Sequence, residues 1–248
     1  MRMKRRAIAM SVTVLLALLP ILTGLAAPLD LTEDLKGSVR IELTDQAQYI
    51  YSYAYPQVDP ADSSAELINT FYQAIARDAE EFEIPMNADY YREQKAQKNI
   101  TVEISYEVTC NNDDFFSVLL NTRQGSLETY TGHTFSRKGL KPGSSVALPY
   151  LLGLLESEES DTWLQNRQTG KADDAVRKMV WERLREMDGI EIREDLQEED
   201  LEYVFFPEED FYLDETGEPV FYLQPGFADD STRLVTIPIS VDDILDEM

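Results

Sequence analysis

The chain has 248 residues but only one histidine and one cysteine. A lone Cys110 rules out an internal disulfide and a four-cysteine zinc site, and a lone His133 rules out a two-histidine zinc set. No serine lies in a glycine-flanked nucleophile elbow, and no glycine-rich loop is built to cradle phosphate. A hydrolase triad would have to rest on His133, with a serine and an acid brought to it from elsewhere in the chain. Basic residues are also scarce, 22 Lys and Arg against 47 Asp and Glu, a net charge of −25. Such a field repels nucleic acid and anionic membranes and draws in cationic partners, although it is most often a solvated coat. The pairs Asp113-Asp114, Glu208-Glu209 and Asp229-Asp230 read as solvated turns in a chain this acidic. The loop at 214–218 lacks the alternating oxygen spacing of a calcium hand. No cofactor and no metal is expected.

What is present begins with an export signal. Arg2, Lys4, Arg5 and Arg6 precede an apolar run over 7–22, followed by Gly24, Ala26 and Ala27. Residues 1–26 read as a signal peptide cleaved after Ala26; uncleaved, the stretch 7–27 is just long enough to anchor the chain in a bilayer. Either way the remainder lies outside the cytoplasm, and the membrane is touched only through that segment. No cysteine ends the run, so a lipoprotein anchor is excluded. Without residues 1–26 the balance is 18 basic against 47 acidic residues, a net charge of −29. Residues 27–37 read as a linker, and 38–248 are long enough for one large domain or two lobes meeting near 140–150.

Strand periodicity starts with Val39, Ile41 and Leu43. The next strand puts Tyr49, Tyr51, Tyr53 and Tyr55 on one face, a row that packs under a helix or, alternatively, stacks on sugar rings. Residues 60–84 read as a helix with a Ser63/Glu66 capping box and a stripe of Leu67, Phe71, Ile75 and Ala79, widened by Ile68, Tyr72 and Phe82. A shorter polar helix follows Pro85. Residues 100–110 alternate most cleanly, with Cys110 on the apolar face as a buried structural thiol. Turn residues at 111–114 and 124–126 then make a three-strand meander through residue 136. Later elements are a short helix at 148–155, a helix capped by Asp173, an acidic connector at 191–202, strands at 210–213, 219–224 and 235–239, and an acidic tail from 242. Hairpins set apart from helices imply an α+β fold, with antiparallel sheets built from hairpins and helices packed on one face.

The only histidine lies in "YTGHTF", residues 130–135. Gly132 lets the strand bend or its backbone pass close to a neighbour, and His133 reads as a structural residue at a strand bulge or end. Contact with a ligand, together with Tyr130, is the next reading, and catalysis the last.

The order of hairpin, "AELINTFYQAI" helix, long hairpin, "YTGHTF" and closing "FYLDETGEPVFYLQPGFADDSTRLVTIPI" resembles the RsiV-like extracytoplasmic domain family. That domain type also accompanies peptidoglycan deacetylases as a non-catalytic module. The resemblance spans roughly residues 38–245; the family usually writes a longer Tyr-x-Gly-Gly-Ala-His stretch where this chain has Tyr130-Thr131-Gly132-His133. It implies a non-catalytic binding domain whose partner is a cationic extracellular protein such as lysozyme, or peptidoglycan. In the family the outer domain is coupled to sigma-factor capture inside the cell, for which the six residues before the apolar run are too few. A hydrolase using His133 or an acidic pair is the remaining alternative. The candidate ligand-contacting residues are therefore Tyr49, Tyr51, Tyr53, Tyr55, Tyr130 and His133.

Overall fold

The computed structural model describes residues 28–139, 141–154 and 162–248, with side chains in the long helix from 167 onward. The signal or anchor segment falls outside the described residues. Among those described, no helix is long and apolar enough to cross a membrane.

Five strands form the main sheet in sequence order: β1 (Leu35–Thr44), β2 (Ala47–Tyr55), β3 (Ile100–Asn111), β4 (Phe115–Gln124) and β5 (Leu127–Ser136). All neighbours are antiparallel except β2 and β3, which run parallel. The fold is α+β as read, but the sheet is mixed. The parallel step follows from the helical segment between β2 and β3, which carries the chain back to the start of the sheet.

That segment is α1 (Ala65–Asp78), a π turn (Ala79–Glu83) and α2 (Ile84–Glu93). Pro85 offers no N–H to the carbonyl four residues earlier, and the hydrogen-bond ladder widens into the π turn just before it. The helix therefore continues past Pro85 without the break expected there. The expected stripe is also rotated. A strict spacing of four drifts about 40° per step around a 3.6-residue helix, so Leu67 and Phe82 are exposed while Ile68, Tyr72 and Ala76 are buried. The Ser63 capping box does not form. Asp62 instead accepts from the N–H and hydroxyl of Ser64.

Two clusters of apolar side chains lie on opposite faces of the sheet. Beneath α1 and α2 are Tyr49, Tyr51, Tyr55, Val102, Phe116, Val118 and Phe135. The other face carries Cys110 and the C-terminal elements: α3 (Leu148–Leu151), α4 (Thr162–Glu186), α5 (Leu201–Val204), β6 (Phe211–Leu213), β7 (Pro219–Leu223), β8 (Val235–Pro238) and α6 (Val241–Glu247). Helices thus cover both faces, not one. Cys110 is buried, and burial pushes its thiol up to about 11. It sits on the face opposite to Val102 and Val118, because a register shift between Val108 and Cys110 flips the end of β3.

Polar groups meet at the seam between sheet and second cluster. Ser117 and Thr134 hydroxyls meet at 3.0 Å, and the Ser117 oxygen accepts the Leu213 N–H at 3.0 Å. The free edge of β5 is closed by side chains of the β7 region. Gln224 bonds both the N–H and carbonyl of Tyr130, at 2.9 and 2.7 Å, and the Gly132 N–H donates to the Tyr222 hydroxyl at 2.9 Å.

Both ends of the described residues are more structured than composition implies. Within the expected linker, Leu29 is buried with its N–H on Asn111 Oδ1 at 2.7 Å, and Asp34 accepts from the Tyr106 hydroxyl. Asp173 lies inside α4, not at its cap. The acidic tail is helix α6, capped by Ser240, whose hydroxyl accepts the Asp243 N–H at 3.1 Å. Its acidic first turn suits the positive end of the helix dipole, Ile244 is fully buried, and Arg183 of α4 bonds Asp243 at 2.9 Å. Ser240→Ala is expected to cost about 1 kcal/mol in urea titration. No measurable loss would show that side-chain packing alone holds α6.

Candidate functional site

The tyrosine row is core. Alternation in β2 aims Tyr49, Tyr51, Tyr53 and Tyr55 at the helices, leaving them 1, 1, 7 and 1 % exposed. Tyr55 stacks on Tyr72 of α1 at 5.6 Å between ring centroids, Tyr53 stacks on Tyr55 at 5.2 Å, and Tyr49 on Tyr91 at 6.0 Å. Tyr53 donates its hydroxyl proton to Glu80 at 2.8 Å. Burial pushes Tyr49, Tyr53 and Tyr55 up to about 12 and raises Tyr51 further. No ring face is open to a sugar, so the glycan-stacking alternative for this row is corrected to packing.

His133 lies mid-strand in β5, opposite Val118, rather than at a strand end. Its ring meets Phe71 edge-on at 4.9 Å and Tyr72 at 5.7 Å. Nδ1 is buried with no hydrogen-bond partner, and burial alone holds the imidazole down to about 4. It is a structural histidine, but a packed one. Tyr130, three residues earlier, faces the other side of the strand, where its hydroxyl meets Glu128 and Asn121, both at 3.0 Å. The fold therefore gathers the tyrosine row and His133 into one core and leaves Tyr130 outside it.

The 214–218 loop and Asp229 are engaged in local turns. Asp214 accepts from Thr216 and Glu218 backbone N–H groups within its own turn, and Asp229 does the same for Ser231. Among the described residues no three His, Cys, Asp or Glu side chains are placed to hold a metal.

The surface that remains overlaps the end of the acidic connector expected at 191–202 and continues past it to residue 209. In 198–209, Leu201 and Phe205 are buried anchors four residues apart, and Pro207 is buried as well. That spacing turns the apolar residues between and just beyond the anchors outward: Tyr203 is 76 %, Val204 41 % and Phe206 47 % exposed. Around them Glu198, Glu199, Glu202, Glu208 and Glu209 are all exposed. Tyr203 and Val204 also wall a groove of about 280 Å³ with Leu196, Asp200 and Phe227. The groove's one cation, Arg193, is engaged by Asp195 at 2.7 and 3.0 Å, an ion pair that lowers Asp195. Below Phe206, Asp210 accepts its N–H at 2.8 Å and is pushed up to about 6 by burial. Asp173 on α4 is likewise raised to about 6, first by burial and then by Glu208. An apolar run inside an acidic one, "EEDLEYVFFPEED", was the available signal. Exposed aromatic rings rimmed by carboxylates suit Lys and Arg side chains, through cation–π contact and ion pairing together.

No family model matches the chain, and no curated protein matches it. Two crystal structures of DUF3298 family proteins are similar in structure. One, from Pseudomonas aeruginosa PAO1, is 13 % identical with a TM-score of 0.46, over 88 % of this chain and 94 % of that one. The other, from Bacteroides fragilis NCTC 9343, is 13 % identical with a TM-score of 0.42, over 88 % and 93 %.

Proposed function

We propose that this chain is an exported, non-catalytic binding domain of the RsiV-like type that recognises a cationic protein through the surface of α5. The observation that carries the reading is the exposed set Tyr203, Val204 and Phe206 inside an acidic rim. A net charge of −25 steers any basic protein inward, but charge alone does not select. Selection needs an apolar or aromatic anchor that can be desolvated on contact, and α5 offers one. The packing of His133 edge-on against Phe71 and beside Tyr72, with Nδ1 unpartnered, supports binding over hydrolysis. The resemblance of 38–245 to the RsiV-like family makes lysozyme the first partner to try. With the tyrosine row in the core, no observation favours the peptidoglycan alternative.

The test is a Tyr203→Ala, Phe206→Ala double variant. Both side chains are exposed, so the fold should survive, and lysozyme affinity should fall tenfold or more, an effect of about 1.4 kcal/mol, chiefly through faster dissociation. Unchanged affinity in a folded double variant would remove α5 as the site.

A further inference from the structure

The two edges of the main sheet are treated differently. The β5 edge is closed by Gln224 and Tyr222. The β1 edge is open: among the described residues, no backbone group of 35–42 bonds outside the ladder with β2, except the Glu42 carbonyl, which accepts from Arg92. Ten residues is long for an open edge, and β1 runs without proline or bulge until the irregularity between Glu42 and Thr44. Edges of this kind invite pairing with another strand unless something blunts them.

We propose that β1 is a self-association edge, at which two copies of this chain pair their β1 strands antiparallel about Val39. The identity of the partner rests on charge. Pairing about Val39 sets Lys36 opposite Glu42 twice, once on each side of the two-fold axis, and Ser38 opposite Arg40; all four residues lie on the exposed face of the strand. On the other face, half-buried Val39 meets its own copy, and Ile41 meets Gly37, where the ring of Tyr53 fills the space a side chain would take. Cross-strand pairs of opposite charge and of apolar side chains are what stabilise antiparallel pairing. A centre at Ile41 would oppose Arg40 and Glu42, but it runs into the irregularity at 42–44 and pairs fewer residues. The two-fold arrangement is isologous and closes at two copies, since among the described residues the main sheet has one such edge. Each copy also carries −29 without the N-terminal segment, so pairing needs enough salt to screen the remaining charges.

Analytical ultracentrifugation of residues 28–248, which carry both cores, tests this at about 0.15 M salt, where screening acts beyond about 8 Å. The expected result is a mass that rises with concentration towards that of two chains. Glu42→Lys, on the exposed face, should weaken association about tenfold by opposing like charges. The exchange Lys36→Glu with Glu42→Lys should restore it. A monomer at every concentration, or an exchange that fails to restore association, overturns the proposal. Failure here leaves the α5 reading untouched, because β1 takes no part in it.

Discussion

Gly132→Ala is expected to destabilise the protein by about 3 kcal/mol or more, because overpacking against backbone lies at the top of the usual range. A Cβ at Gly132 would stand 1.9 Å from the Phe211 carbonyl oxygen and 2.8 Å from its carbon. Neither is the end of a side chain that could swing aside. The glycine is needed for this approach and not for its own backbone angles, since its φ is not in the left-handed region. The approach seats β6 on β5, next to the Tyr222 hydroxyl that accepts the Gly132 N–H. Relief would require the C-terminal elements to lift off the sheet. Gly170→Ala is the internal comparison: it lies in α4 with nothing within 4 Å of an added Cβ. There the same substitution should gain about 0.5–1 kcal/mol from helix propensity. Urea titration of the two variants should give opposite signs, and a neutral Gly132→Ala would show that the two layers are not in tight contact.

His133 carries the second large effect. His133→Ala removes a ring packed on Phe71 and Tyr72 and should cost about 2–3 kcal/mol at neutral pH. His133→Leu keeps most of the volume and discards an unpaired buried nitrogen, so it should stay within about 1 kcal/mol of the parent. The pH dependence separates them further. The unfolded chain takes up a proton near the ordinary value of 6.5, the folded one only near 4. Between these values the unfolded state holds more protons, so stability falls as pH falls from 6.5 to 4, by about 3 kcal/mol from this group. Asp173 and Asp210, both raised from the ordinary 3.8 to about 6, act in the opposite direction over most of that window. Acidification from pH 6.5 to 4 should therefore favour His133→Leu over the parent by about 3 kcal/mol, the contribution that the imidazole withdraws from the parent alone. Parallel pH curves for the two would mean that the imidazole is solvated.

How far the residues announce the structure depends on the range of the interactions involved. Alternation over 100–108 marks β3 because its period is local, and the hairpins follow from turn residues at 111–114 and 124–126. The parallel pairing of β2 with β3 is not local. It is decided by where the helical segment lands, and no residue in either strand records that. Cys110 shows the same limit on a smaller scale: one extra residue at Thr109 reverses its face, and a bulge leaves no mark on the alternating pattern. The tyrosine row could be assigned to one face of a strand, but whether a helix or a ligand covers that face is a tertiary fact. His133 is half-buried, with its Nδ1 fully covered, because Phe71 and Tyr72, about sixty residues earlier, reach across to it. The α5 surface was legible in principle, from two apolar anchors four apart with aromatics between and beyond them. Its acidic setting disguised it as a solvated connector.

The central claim is selective recognition of a cationic protein, and calorimetry tests it most directly. The protein is titrated with lysozyme and with cytochrome c, a basic protein of unrelated sequence, at low and at moderate salt. If α5 supplies an anchor beyond charge, cytochrome c binding should vanish as the Debye length shrinks to about 8 Å at 0.15 M salt, while lysozyme binding weakens but persists. Equal binding of both, erased by salt, would reduce the acidic surface to a coat, and no binding of lysozyme at either salt would contradict the account of its partner.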